Sequence, residues 1–191
     1  MPVNDFRTAA VIGTGMMGPG VAVSLALGGV DATILSRSED GAERGLATAL
    51  EQVATIEEHG LCSALDAEAA RGRLHGSTDL DSAVAEADFV SESAPEDLKL
   101  KQELFERLDR VAKPESILTT NTSGLSINSV SERCARPERV LTAHFWNPPH
   151  LMRLVELVRS GKTSDEAVDR TKALLEACGK AVVVVKKDCP G

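Results

Sequence analysis

Three groups of residues in this 191-residue chain have the types and spacing to do chemistry. The first is Gly13-Thr14-Gly15-Met16-Met17-Gly18, just after the apolar run Thr8–Ile12. In a strand-to-helix turn, the first glycine of such a set allows the tight turn. The second lets the backbone approach a pyrophosphate, and the third lets helix and strand pack closely. The helix N-terminus then offers free N–H groups to phosphate oxygens.

The second group is Ser36-Arg37-Ser38. A dinucleotide fold ordinarily carries an acidic residue about 20 residues past the glycines, where it binds the adenosine ribose of NAD. Ser36 stands there, so the carboxylate that would repel the 2′-phosphate of NADP is absent. Arg37 and the two serines have the chemistry to bind that phosphate. Equally, Ser36 can hydrogen-bond the ribose of NAD while Arg37 packs along the adenine. Both NAD and NADP stay open.

The third group is His144 and Glu156, on either side of Asn147-Pro148-Pro149. An imidazole with an ordinary pKa of about 6.5 exchanges a proton near neutral pH. Glu156 sits in the apolar run Leu154–Val158, where a lone carboxylate is costly to bury. A strand returning after the prolines would bring it to the imidazole, and a carboxylate on one ring nitrogen sets the tautomer. His59, His75 and His150 have no metal-ligand spacing, so no metal is expected.

Elements must position these groups. Strands are predicted at Thr8–Ile12, Ala32–Leu35, Asp88–Ser91, Ile117–Thr120, Val140–Phe145, Leu151–Val158 and Ala181–Val185. The last is apolar throughout and is expected to be buried on both faces. Helices are predicted at Met16–Leu27, from Ser38-Glu39-Asp40 to His59-Gly60, and at Asp66–Arg71, Asp79–Glu86, Pro95–Val111 and Asp165–Ala177. Leu98, Leu104, Phe105 and Leu108 form the apolar stripe of Pro95–Val111. Strands alternating with helices give an α/β fold of the Rossmann type: a doubly wound, mostly parallel sheet with flanking helices.

Composition narrows the partners. Asp plus Glu is 29 against 21 Lys plus Arg, a net charge of −8, which opposes broad nucleic-acid binding. Tyr is absent and Trp occurs once, so base-stacking platforms are scarce. No stretch is apolar for the roughly 20 residues of a membrane span, and Cys62, Cys134, Cys178 and Cys189 form no C-x-x-C. A cytoplasmic protein with reduced thiols and a small-molecule substrate is expected.

Beyond the glycine loop, the sequence resembles the N-terminal NAD-binding domain of the 3-hydroxyacyl-CoA dehydrogenase family. Four segments carry the resemblance: IGTGMMGPGVA at Ile12–Ala22, SESAPEDLKLKQELFERLD at Ser91–Asp109, TTNTSGLSI at Thr119–Ile127 and HFWNPPHLMRLVELV at His144–Val158. The closing KKDCPG at Lys186–Gly191 resembles the family's junction into a helical C-terminal domain.

The resemblance implies that His144 is the catalytic base, that Glu156 pairs with it, and that Ser123 hydrogen-bonds the reacting oxygen. It implies cofactor contacts at Gly13, Gly15, Met16, Met17, Gly18, Ser36, Arg37, Ala94, Glu96, Lys101 and Asn121. The implied activity is hydride transfer between the 3-hydroxyl carbon of a 3-hydroxyacyl thioester, CoA-linked, and NAD or NADP. A non-thioester hydroxy acid, gulonate- or carnitine-like, or a carrier-protein-linked acyl group would use the same residues. Residues 1–191 are expected to be the dinucleotide-binding domain, with the helical C-terminal domain and a further catalytic asparagine lying past them. A homodimer is expected only with that second domain, and the 191 residues alone could bind nucleotide without turnover.

Overall fold

A computed structural model describes residues 6–185 and 188. The first five strands are β1 (Thr8–Ile12), β2 (Asp31–Leu35), β3 (Leu74–Ser77), β4 (Phe89–Glu92) and β5 (Ile117–Thr120). They are followed by β6 (Val140–Phe145), β7 (Leu154–Arg159) and β8 (Ala181–Val185). They form one sheet in the order β3-β2-β1-β4-β5-β6-β7-β8. All neighbours are parallel except β6 and β7, which are antiparallel. The chain winds outward from β1 to β3, then restarts beside β1 at β4. The crevice above β1 and β4 is therefore the switch point at which doubly wound sheets bind ligands.

Helices cover both faces. α1 (Gly18–Leu27), α2 (Glu39–Glu58), α3 (Ala64–Gly72) and α7 (Asp165–Ala177) pack on one side. α4 (Leu80–Glu86), α5 (Leu98–Val111) and α6 (Ile127–Val130) pack on the other. Strand alternation feeds both cores: Ala9 and Val11 join the first, Ala10 the second. Helix α1 is apolar on every side, and its residues from Gly18 to Ala26 are buried.

Several boundaries move for identifiable reasons. Met16 and Met17 stay in the turn, and α1 starts at Gly18 with Pro19 in its first turn. Asp97 caps α5 by accepting the Leu100 N–H, so Pro95 and Glu96 remain in the preceding loop. Asp88 lies outside β4, because its carboxylate accepts the N–H groups of Arg7 and Thr8 at the start of β1. Residues 151–153 belong to the turn before β7, where Leu151 and Met152 donate to the Pro148 carbonyl. β3 went unpredicted because Leu-His-Gly-Ser has neither a β-branched run nor alternation.

Two expectations about burial are corrected. β8 is not buried on both faces: it is an edge strand, paired only with β7, and Val183 is 50% exposed. Leu98 is not in the buried stripe of α5. The inward face there is Lys101, Gln102, Phe105, Leu108 and Asp109, with Leu104 partly buried against it. The closing segment Lys186–Gly191 falls outside the described residues apart from Asp188, whose carboxylate caps α6 by accepting the Ile127 and Asn128 N–H groups.

Candidate active site

The glycine loop is shaped as its spacing requires. Gly13 has φ +110°, and a Cβ there would lie 2.7 Å from the Ser93 carbonyl oxygen at the end of β4. A Cβ on Gly18 would lie 1.8 Å from the Gly13 oxygen, so only glycine lets α1 start this close to β1. Gly15 differs: nothing stands within 4 Å of where its Cβ would be. That open approach is what a pyrophosphate needs. No side chain caps the first turn of α1, which leaves its N–H groups for an anion. The loop therefore fits a dinucleotide.

Beside it lies a cleft of about 640 Å³. Met17, Ala94, Glu96, Lys101, Asn121, Ser123 and His144 line it, together with Trp146. The strand pairing places His144 directly opposite Glu156. Neighbours Ala143, Phe145, Val155 and Leu157 point into the first core, so the imidazole and carboxylate share the other face. His144 Nδ1 lies 3.0 Å from Glu156 Oε2, and Nε2 lies 3.0 Å from Ser123 Oγ. An ionised carboxylate only accepts, so Nδ1 donates to Glu156 and Nε2 is left with its lone pair facing Ser123. Trp146 leans edge-on against the imidazole with ring centroids 5.6 Å apart.

The backbone around His144 is held from both ends. Asn121 Oδ1 accepts the Phe145 N–H at 2.7 Å, which ties the Ser123 loop to β6. Past β6, Gly20 of α1 sits so close to Pro149 and His150 that a Cβ would come within 3.0 Å of the proline ring. The Pro149 carbonyl accepts from Ser24 Oγ and Lys180 Nζ, and Lys180 also donates to the Met152 carbonyl. Burial pushes the Lys180 ammonium down to about 8.

Lys101 lines the cleft but is only 1% exposed, and its ammonium turns inward to Glu92 Oε1 at 2.6 Å. Glu92 is fully buried and also accepts from Thr120 Oγ1 and the Ala94 N–H. Sequence reading missed Glu92. Its signal was a carboxylate two positions past Phe89-Val90 at the end of a predicted strand, where a buried charge requires a cation. Glu96 accepts from the Thr122 hydroxyl and the Gly124 N–H. Burial alone would raise its pKa, but those donors and Lys101 outweigh it and hold the carboxyl below its ordinary value.

At the other end of the crevice, Ser36 follows β2 and Ser38 caps α2 by accepting the Gly41 N–H. Arg37 between them is exposed. The described residues contain no cluster of His, Cys, Asp and Glu able to hold a metal. Cys62, Cys134 and Cys178 are free thiols, and burial pushes Cys134 up to about 12. No described helix is long and apolar enough to cross a membrane.

Residues 8–189 match the family model of the 3-hydroxyacyl-CoA dehydrogenase NAD-binding domain. An L-carnitine dehydrogenase from Burkholderia mallei is 37% identical over 190 residues, covering 99% of this chain and 58% of that protein. A probable 3-hydroxybutyryl-CoA dehydrogenase from Bacillus subtilis is 35% identical over 98% of this chain and 64% of its own length. Among solved structures, 3-hydroxybutyryl-CoA dehydrogenase from Escherichia coli superposes with a TM-score of 0.89 at 35% identity, over 94% of this chain and 38% of that one. The (S)-3-hydroxybutyryl-CoA dehydrogenase from Ralstonia eutropha gives 0.91 at 31%, over 97% and 65%. The chain spans between 55% and 59% of the first three curated relatives it matches.

Proposed function

Because the chain belongs to the 3-hydroxyacyl-CoA dehydrogenase family, we propose that it is the nucleotide-binding and proton-transferring part of a nicotinamide-dependent hydroxyacyl dehydrogenase. The observation that carries this is the chain of contacts from Glu156 through His144 to Ser123, opening into the cleft beside the glycine loop.

Oxidising a secondary alcohol removes a hydride and a proton, and a bound nicotinamide ring supplies the hydride acceptor. The proton is this chain's concern. His144 Nε2 takes it from the substrate hydroxyl, with Ser123 Oγ donating to the same oxygen as negative charge develops there. Glu156 holds Nδ1–H, keeps the ring oriented and stabilises the imidazolium that forms. In the opposite direction the imidazolium returns the proton to the carbonyl oxygen. Met17, Ala94, Glu96 and Asn121 line the same cleft and bound the space beside the reacting centre.

For the substrate we favour a 3-hydroxyacyl thioester, which the names of the Bacillus subtilis, Escherichia coli and Ralstonia eutropha relatives support. The match to L-carnitine dehydrogenases at 37% and 34% favours a second reading, a free hydroxy acid. The two differ in what lies beyond the carbinol, not in the proton chemistry. Assaying acetoacetyl-CoA reduction and L-carnitine oxidation with NAD(H) and NADP(H) separates them. Turnover of the thioester alone is expected. Turnover of carnitine alone would overturn the thioester reading. Nucleotide binding with no turnover of either would reduce the role of these residues to binding.

A further inference from the structure

We infer that the adenosine end of this site selects NADP(H), with the 2′-phosphate held by Ser36, Arg37 and Ser38. The inference rests on the nicotinamide-binding reading above and adds which nucleotide the site takes.

Strand β2 ends at Leu35, and the Ser36 N–H donates to the Ser77 carbonyl on β3. Ser36 is thus the first residue past the sheet, at the level where an acidic residue grips the ribose 2′-hydroxyl in NAD-binding folds. Its side chain turns toward the first turn of α2. A Cβ built on Gly41 would fall 2.1 Å from Ser36 Oγ and 3.0 Å from Ser38 Oγ. The two hydroxyls therefore converge over one bare glycine, and the space between them exists because Gly41 has no side chain. Gly45, one turn on, does the same for Thr14 of the glycine loop, where a Cβ would lie 2.6 Å from the threonine methyl carbon. Helix α2 thus carries a glycine face along both the phosphate turn and the ribose end.

The polar groups there have capacity to spare. Ser36 Oγ makes only a 3.5 Å contact, from the Ser38 N–H, so its own proton has no acceptor among the described residues. Arg37 is exposed and, like several other arginines, enters no ion pair among the described residues; what sets it apart is its place between Ser36 and Ser38. A phosphate monoester offers acceptor oxygens only. A free guanidinium with two hydroxyls matches it, and none of the three residues presents the carboxylate that would repel it. Glu39 and Asp40 follow on α2 and are exposed, so the attraction comes from contact at Arg37 and the serines rather than from a broadly positive field.

Equilibrium binding tests this without turnover. NADPH and NADH are titrated by nicotinamide fluorescence into the wild-type chain, Arg37→Ala and Ser36→Asp, with 2′,5′-ADP and ADP as competitors. A charged hydrogen-bonded contact predicts about 10- to 100-fold tighter binding of NADPH than NADH in the wild type, and of 2′,5′-ADP than ADP. Arg37→Ala removes that preference while NADH affinity stays within about twofold, and Ser36→Asp inverts it. Equal or tighter binding of NADH by the wild type overturns the inference and leaves the dehydrogenase reading standing. So does equal weakening of both nucleotides in Arg37→Ala. Failure of both nucleotides to bind overturns both.

Discussion

His144 and Glu156 face one another across the antiparallel β6–β7 pair, with the imidazole Nδ1 3.0 Å from the carboxylate. Both backbones are locked by the sheet, so the orientation of the ring is set by strand register rather than by a loop. Replacing His144 with Ala removes the proton acceptor, and turnover is expected to fall about 10²- to 10⁴-fold. Glu156→Gln keeps the shape but loses the charge that balances the imidazolium, and is expected to slow turnover at least about tenfold. Steady-state kinetics beside a nucleotide titration check both. Nucleotide affinity that falls in step with turnover would mean a folding defect rather than lost proton transfer.

The glycine loop separates packing from binding. Gly18→Ala drives a methyl into the Gly13 carbonyl and is expected to destabilise the fold and abolish nucleotide binding. Gly15→Ala adds a methyl where nothing stands within 4 Å. It is expected to leave the melting temperature nearly unchanged. Nucleotide affinity should still fall about tenfold, the equivalent of one good phosphate hydrogen bond. Calorimetry together with nucleotide titration would show the split; a Gly15→Ala chain that binds normally would place the pyrophosphate elsewhere.

The Glu92–Lys101 pair lies beneath the cleft with 0% and 1% side-chain exposure. Removing one partner strands a buried charge, so Glu92→Gln or Lys101→Met alone is expected to cost about 3–5 kcal/mol. The double variant is expected to recover a large part of that loss, because neither charge remains. A double-mutant cycle by urea unfolding measures the recovery. Additive losses would show that the two groups act independently.

Asp109 supplies the pH dependence. Burial alone would raise its carboxyl, but Arg139 and the Arg136 and Ala135 N–H groups hold it below the ordinary carboxylate range. Its contribution is therefore complete above the unfolded value of about 3.9 and is lost as pH falls through the lowered native one. Arg139 opens into β6, so this pair anchors the strand that carries His144. The gap in melting temperature between wild type and Asp109→Asn is expected to be large at pH 7 and to narrow toward pH 3. A gap that stays constant would remove the linkage.

Much of the fold was legible because its signals are local. Ser38 before Glu39-Asp40 marked the start of α2, and the run Thr8–Ile12 before the glycine turn marked β1. The outward exposure of β8 was not legible, because Ala-Val-Val-Val-Val reads the same at an edge as in the centre of a sheet. The inward turn of Lys101 was equally hidden, since it depends on a carboxylate nine positions away that arrives only when β4 and α5 pack together.

The sequence by itself determined which groups could do chemistry: a glycine turn for phosphate, a serine in place of a carboxylate, an imidazole and a carboxylate either side of two prolines. These are properties of residue type and of short spacing. Only the tertiary structure decided that Glu156 meets His144 on the second-core face, that Ser123 reaches the free ring nitrogen, and that Ser36 and Ser38 converge over Gly41. The reason is physical. Side-chain direction follows from strand register and helix docking, which long-range burial of apolar surface selects, and no neighbouring residue encodes it.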